Sequence, residues 1–144
     1  MIREAKKEDS LILAQMAMKI WEDNNLCDLV KEFEEFADDT NMASFIKYVD
    51  DKPAGFANVS IRYDYVEGCQ TSPVGYLEGI YVEDEYRKNN YARDLVEACE
   101  TWVKDKGIKE FASDCELTNK DSLAFHLAIG FEEVNRIICL KKEL

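Results

Sequence analysis

Residues 74–103 contain a switch of hydrophobic period that leaves the chain few ways to fold. Val74, Gly75, Tyr76, Leu77, Glu78, Gly79, Ile80, Tyr81 and Val82 form an aromatic and β-branched run with one carboxylate inside it. That composition is typical of a buried strand. Glu83, Asp84, Glu85 and Tyr86 make a polar turn. From Tyr91 onward, Ala92, Leu95, Val96, Ala98, Cys99, Trp102 and Val103 recur at helical spacing. Between the two runs lies a basic loop that ends at the helix start: Arg87, Lys88, Asn89, Asn90, Tyr91 and Ala92. A helix N-terminus presents unpaired backbone N–H groups and the positive end of its dipole, so it attracts anions, phosphate above all. Strand, basic loop and helix in succession therefore predict a pyrophosphate clamp.

The rest of the chain reads as one domain over residues 1–144, long enough for a full core. Residues 1–5 predict a short strand. Asp9 or Ser10 can cap a helix through Trp21, with Leu11, Leu13, Ala14, Ala17, Met18 and Trp21 as its apolar stripe. Asp23, Asn24 and Asn25 end it. A second short helix follows over 29–37, with Leu29, Val30, Phe33 and Phe36 on one side. Strands at 42–49 and 54–65 flank a tight turn at 50–53. With the strand at 74–82 they favour an antiparallel meander. Gly107 stops the long helix. A strand over 109–115, reached by a helical crossover, should lie parallel to 74–82. Thr118 or Asn119 then caps a helix over 120–129, and Gly130 and Phe131 lead into a final pair of strands that includes 137–140. The fold class is α/β (α+β), a mixed central sheet with helices on both faces.

Thirty acidic residues against 18 basic ones give a net charge of −12. Such a surface is a poor partner for nucleic acid and a good one for a cationic substrate, although an acid excess also serves solubility. No apolar run of eighteen or more residues suggests a membrane span, and the charged start, Met1 to Lys6, does not read as a signal peptide. A cytoplasmic domain is expected. The five cysteines (Cys27, Cys69, Cys99, Cys115, Cys139) have no C-x-x-C or Cys/His ligand spacing. Neither a disulfide framework nor a metal site is expected, and none of the five sits where a nucleophilic thiol would. Cys99 and Cys139 read as small core residues.

The basic loop resembles the Q/R-x-x-G-x-G/A signature of the GNAT superfamily of N-acetyltransferases, which grips the pyrophosphate of acetyl-coenzyme A. Arg87 matches its first position and Ala92 its last. Asn90 stands where the first glycine usually is, and Asn tolerates left-handed backbone better than other non-glycine residues. Asn119 and the Gly130-Phe131 pair extend the match. Residues 62–68, 71–82 and 111–114 are further similar to aminoglycoside 6'-N-acetyltransferases, a similarity running from residue 11 to 131. The resemblance implies a GNAT fold and acetyl-CoA as co-substrate. It also implies transfer of acetyl to the 6'-amine of an aminoglycoside, which is antibiotic resistance, by direct attack in a ternary complex. Relatives imply a homodimer through exchange or pairing of C-terminal strands.

Roles follow residue by residue. Glu78 is the candidate general base, acting through a water, with desolvation raising its basicity; the alternative is a carboxylate satisfied by a neighbouring Arg. Asp114, near the C-terminal end of the adjoining parallel strand, would hold a substrate ammonium, or is a solvated acid. Trp21 and Tyr65 offer flat faces to a sugar or ammonium, or belong to the core. Asn24 and Asn135 match substrate-side positions of the family, which often has a carboxylate at the second. Ile80, Tyr81 and Val82 would pair with the pantetheine arm as an added strand does, and an N–H there can polarise the thioester carbonyl. Gly79 suits a bulge that splays the two parallel strands. Arg87, Lys88, Asn89, Asn90, Tyr91 and Ala92 would hold the pyrophosphate, and Asn119 the pantetheine amide. His126 stands where many relatives have a Tyr that protonates the departing thiolate. Imidazole ordinarily titrates near neutrality and can do the same, or it packs beside Phe125. Two other readings stay open: a GNAT enzyme acting on a polyamine or protein amine, and a non-catalytic acyl-CoA-binding module.

Overall fold

The computed structural model describes residues 1–144. In chain order the elements are β1 (Ile2–Glu4), α1 (Ser10–Ala17), α2 (Leu26–Asp38), β2 (Met42–Val49), β3 (Lys52–Arg62), β4 (Val74–Val82), α3 (Tyr91–Asp105), β5 (Phe111–Ser113) and α4 (Lys120–Ala128), with single 3-10 turns at Lys7–Asp9 and Asp84–Tyr86. The strands form one sheet in the order β1-β2-β3-β4-β5. The first three junctions are antiparallel and β4 pairs with β5 in parallel. The meander needs only short turns. At its β2–β3 hairpin, Asp50 and Asp51 both take positive φ, 50° and 63°, as a two-residue turn requires. The parallel pair needs a long crossover, which α3 supplies.

Alternation along the strands divides the core into two layers. On one face Val59, Leu77 and Val82 pack with Leu95, Val96, Cys99 and Val103 of α3. On the other, Ile46 and Phe56 pack with Leu13, Ala14 and Ala17 of α1 and Leu29 and Phe33 of α2. Each large side chain so buried contributes about 1.5–3 kcal/mol. Gly75 lets α3 approach β4, since a Cβ there would fall 2.5 Å from Cγ2 of Val103.

Several expectations are corrected. Helix α1 stops at Ala17, and Trp21 lies in the turns beyond it, its N–H donating to the Ala17 carbonyl at 2.9 Å. Leu11 is half exposed; the stripe that packs is formed by Leu13, Ala14, Met16 and Ala17. Asp9 makes no side-chain cap, because its carboxylate is taken by Arg3. Helix α2 begins earlier, at Leu26, where Asn25 accepts from the N–H groups of Cys27 and Asp28. Strand β3 ends at Arg62. No strand forms after α4, and Ile137, Ile138 and Leu140 are exposed, Ile138 at 86%. Strand-forming residues need a partner edge to become a strand, and a three-residue β5 provides little. Cys139 is consequently exposed, whereas Cys99 is buried.

Candidate active site

The site begins with a register shift. Asn58 of β3 faces Gly79 of β4, but the next pair is Val59 with Leu77, leaving Glu78 as the extra residue. This is the bulge that Gly79 suggests. On the other side of β4, pairing with β5 stops at Leu77 and Ser113. From Glu78 to Val82, β4 has no strand beside it on that side. The sheet therefore opens at the residue that carries the carboxylate.

Glu78 is held by β3. Its Oε1 accepts from Ser60 Oγ at 2.6 Å and from Arg62 Nε at 3.0 Å, and its Oε2 accepts from Arg62 Nη2 at 2.8 Å. The guanidinium lies over the Tyr76 ring, its Cζ 3.4 Å from the centroid. The Tyr76 hydroxyl in turn donates to Asp114. Burial pushes that hydroxyl's pKa well up, and the bond to the Asp114 carboxylate pushes it further. Glu78 is thus not the desolvated carboxylate expected from its strand; it has an arginine partner. Asp114 is exposed, with Tyr76 as its bonded neighbour.

Arg62, Tyr65, Tyr76, Asp114, His126 and Asn135 all line a cleft of about 690 Å³. Tyr65 is 78% exposed, a surface ring and not a core one. Asn135 donates to Glu67 Oε2 at 3.0 Å. Trp21 is outside this cleft and lies against β4: a Cβ on Gly79 would sit 2.9 Å from its indole. Asn24 is exposed beside it, its N–H donating to the Trp21 carbonyl at 3.1 Å.

His126 is buried against Phe125 and Phe131. Its Nδ1 lies 2.7 Å from the Ser122 carbonyl and so carries the proton donated there; Nε2 lies 2.8 Å from Ser113 Oγ. The imidazole is one hydroxyl removed from the splay, since Ser113 is the last paired residue of β5.

The basic loop has the expected shape. Lys88 and Asn90 take positive φ, 66° and 63°, and Asn90 heads α3 without a side-chain capping bond. The first N–H groups of α3, from Tyr91 and Ala92 on, therefore carry no side-chain cap. Arg87 donates from Nε to the Val82 carbonyl at 3.0 Å and pairs with Asp84, also at 3.0 Å. Asn89 donates to the carbonyls of Tyr86 and Arg87. Asn119 caps α4, its Oδ1 accepting from the Ser122 N–H at 3.1 Å. Its Nδ2 and the second lone pair of Oδ1 stay free for the expected bond to a pantetheine amide.

Ser60, Arg62, Tyr76 and Ser113 are residues to which the sequence assigned no role. The only signal was positional: Asn58, Ser60 and Arg62 alternate onto one strand face, which places Arg62 two residues beyond Ser60.

A mixed sheet opened by a bulge, beside an uncapped helix behind a basic loop, defines an acetyltransferase of the GNAT type. The model of the acetyltransferase (GNAT) family matches residues 12–131, and the chain belongs to that family. Within it, the chain is 41% identical over 126 residues to the aminoglycoside N(6')-acetyltransferase type 1 of Acinetobacter genomosp. 13, covering 87% of this chain and 86% of the relative. The solved structure of aminoglycoside N-acetyltransferase AAC(6')-Iy in complex with CoA superposes with a TM-score of 0.96 at 36% identity, over all of this chain and 95% of that one. A structure of AAC(6')-Iy with the bisubstrate analogue CoA-S-monomethyl-acetylneamine gives a TM-score of 0.95 at 36% identity, over all of this chain and 98% of that one.

Proposed function

We propose that this protein transfers the acetyl group of acetyl-CoA to the 6'-amine of aminoglycosides in a ternary complex, and so confers resistance. The observation that carries the reading is the Glu78 bulge at the point where β4 and β5 part, with Asp114 directly after the last paired residue of β5 and bonded to Tyr76. The similarity to aminoglycoside acetyltransferases along most of the chain supports it.

The thioester arm lies along the free edge of β4, paired with backbone groups of Ile80, Tyr81 and Val82. Its pyrophosphate rests on the N-terminus of α3, within the loop from Arg87 to Ala92, and Asn119 Nδ2 reaches the arm from α4. The drug enters as a polycation drawn to Asp114, with Trp21, Asn24, Tyr65 and Asn135 around its rings. Glu78, through a water, takes a proton from the 6'-ammonium, and the free amine attacks the carbonyl. A β4 N–H stabilises the oxyanion. The tetrahedral intermediate gives up its second amine proton as it expels thiolate, and the thiolate takes a proton from water, or, when the His126 ring is protonated on Nε2 as well as Nδ1, from His126 by way of Ser113. The protein is a cytoplasmic homodimer in this reading: acetyl-CoA is a cytoplasmic metabolite, and the apolar residues Ile137, Ile138 and Leu140 lie uncovered.

The test is CoA thiol release from acetyl-CoA with 6'-amino aminoglycosides, 6'-hydroxyl analogues, polyamines and peptides. Release is expected with the 6'-amino drugs alone; turnover on polyamines or peptides instead would move the substrate class. Glu78→Gln should lower kcat by about tenfold or more, less than the roughly 10²–10⁴-fold that a general base typically contributes because water rescues part of the loss. Full kcat in that variant would remove Glu78 from proton transfer.

A further inference from the structure

We infer that Arg62 is a positioning residue for acetyl transfer, its guanidinium fork turning Glu78 so that one lone pair of the carboxylate is left for the amine or its water. The inference rests on the reading of Glu78 given above and extends it to a side chain outside the expected site.

A carboxylate offers about four lone-pair sites. On Oε1 both are occupied, by Ser60 Oγ and Arg62 Nε; on Oε2 one is occupied, by Arg62 Nη2. One remains. The two parallel bonds from a planar fork fix the plane of the carboxylate, which a point charge such as ammonium does not do. The fork is itself fixed. Its Cζ stacks 3.4 Å from the centroid of Tyr76, and the far end of that ring is tied through its hydroxyl to Asp114. Arg62 therefore joins the two carboxylates of the site into one unit spanning β3, β4 and the end of β5.

Stability does not account for this arrangement. The Arg62 side chain is 42% exposed and that of Glu78 29%, and ion pairs this open to water add little to folding. What a bidentate, stacked pair adds at such a place is orientation, and orientation of a reacting group bears on rate. Charge points the same way. Two carboxylates with no cation between them would both hold substrate ammonium groups. Arg62 balances Glu78 and leaves Asp114 to draw the drug.

The experiment is steady-state kinetics with acetyl-CoA and a 6'-amino aminoglycoside for Arg62→Lys, Arg62→Met, Glu78→Gln and the two doubles, with acetyl-CoA affinity measured by calorimetry. Each Arg62 variant should lose about tenfold or more in kcat, with acetyl-CoA Kd changed less than about twofold. Lysine should fail to rescue, because it restores charge and not the fork. In the Glu78→Gln background, replacing Arg62 should cost less than about twofold, since no carboxylate is left to orient. Two outcomes overturn the inference while leaving Glu78 in its role: Arg62 variants that keep kcat while Glu78→Gln loses it, or losses at the two sites that multiply. Full kcat in Glu78→Gln overturns both readings together. Should Arg62→Met melt early, Arg62→Lys decides, since it keeps the charge and most of the stem.

Discussion

Asp9 shows how a residue's neighbours in space override its place in sequence. Its position before a helix makes it a capping candidate, but β1 brings Arg3 to it, with two bonds at 2.8 Å, and the Lys6 N–H adds a third at 2.7 Å. Asp9 is buried, and Arg3 also donates to the Tyr48 hydroxyl at 2.9 Å. The bonds from Arg3 hold the Asp9 carboxyl below its ordinary range, against burial, which pushes it up, and the Lys6 N–H helps. A folded pKa below the unfolded one means stabilisation that is complete above the unfolded value. It disappears as pH falls through the folded value. Asp9→Asn should therefore cost about 1–3 kcal/mol at pH 7. It should also flatten the loss of stability that the wild type shows below about pH 4. Thermal melts of both proteins at pH 7 and pH 3 test this; equal acid slopes would show that Asp9 is not a titrating contributor.

At the scale of the element, β4 matters more than any helix. Its bulge does two things at once: it turns Glu78 toward Ser60 and Arg62, and it lies where β5 leaves off. Gly79 keeps the bulge open to Trp21, whose indole occupies the space a side chain would need. Gly79→Ala should push the indole off the strand. With Trp102→Phe leaving one reporter, Trp21 emission should shift, and KM for the drug should rise several-fold while acetyl-CoA Kd holds. Unchanged emission would mean that the indole yields without moving its environment. Helix α3, by contrast, follows from its own pattern: its apolar side chains Leu95, Val96, Cys99 and Val103 are all buried, and Asn90 takes the left-handed turn that replaces glycine.

At the scale of the whole molecule, packing leaves the C-terminal segment largely uncovered. Residues 131–137 help wall the cleft, yet Val134, Ile137, Ile138 and Leu140 stay exposed. In the dimer reading a second copy covers them. Sedimentation should find the full chain dimeric, and a chain ending at Arg136 monomeric with its thermal unfolding still cooperative, since both core layers lie before residue 131. A monomeric full chain would remove the dimer and leave the tail to fold over its own cleft.

Local physics made much of this protein legible in its sequence. Strands β2 and β4 follow from β-branched and aromatic runs, α3 from period, the loop turn from Asn90, and the α4 start from a cap at Thr118 or Asn119, which the structure resolves as Asn119. Each depends on residues a few positions apart. The pairing of Glu78 with Arg62, of Tyr76 with Asp114 and of His126 with Ser113 joins residues 16, 38 and 13 positions apart. Those meetings depend on register and on which face a side chain leaves, and a single bulge resets both. The final strands failed to form for the same kind of reason: propensity to be a strand lies in the sequence of residues 137–140, but the partner edge is a property of the assembled sheet.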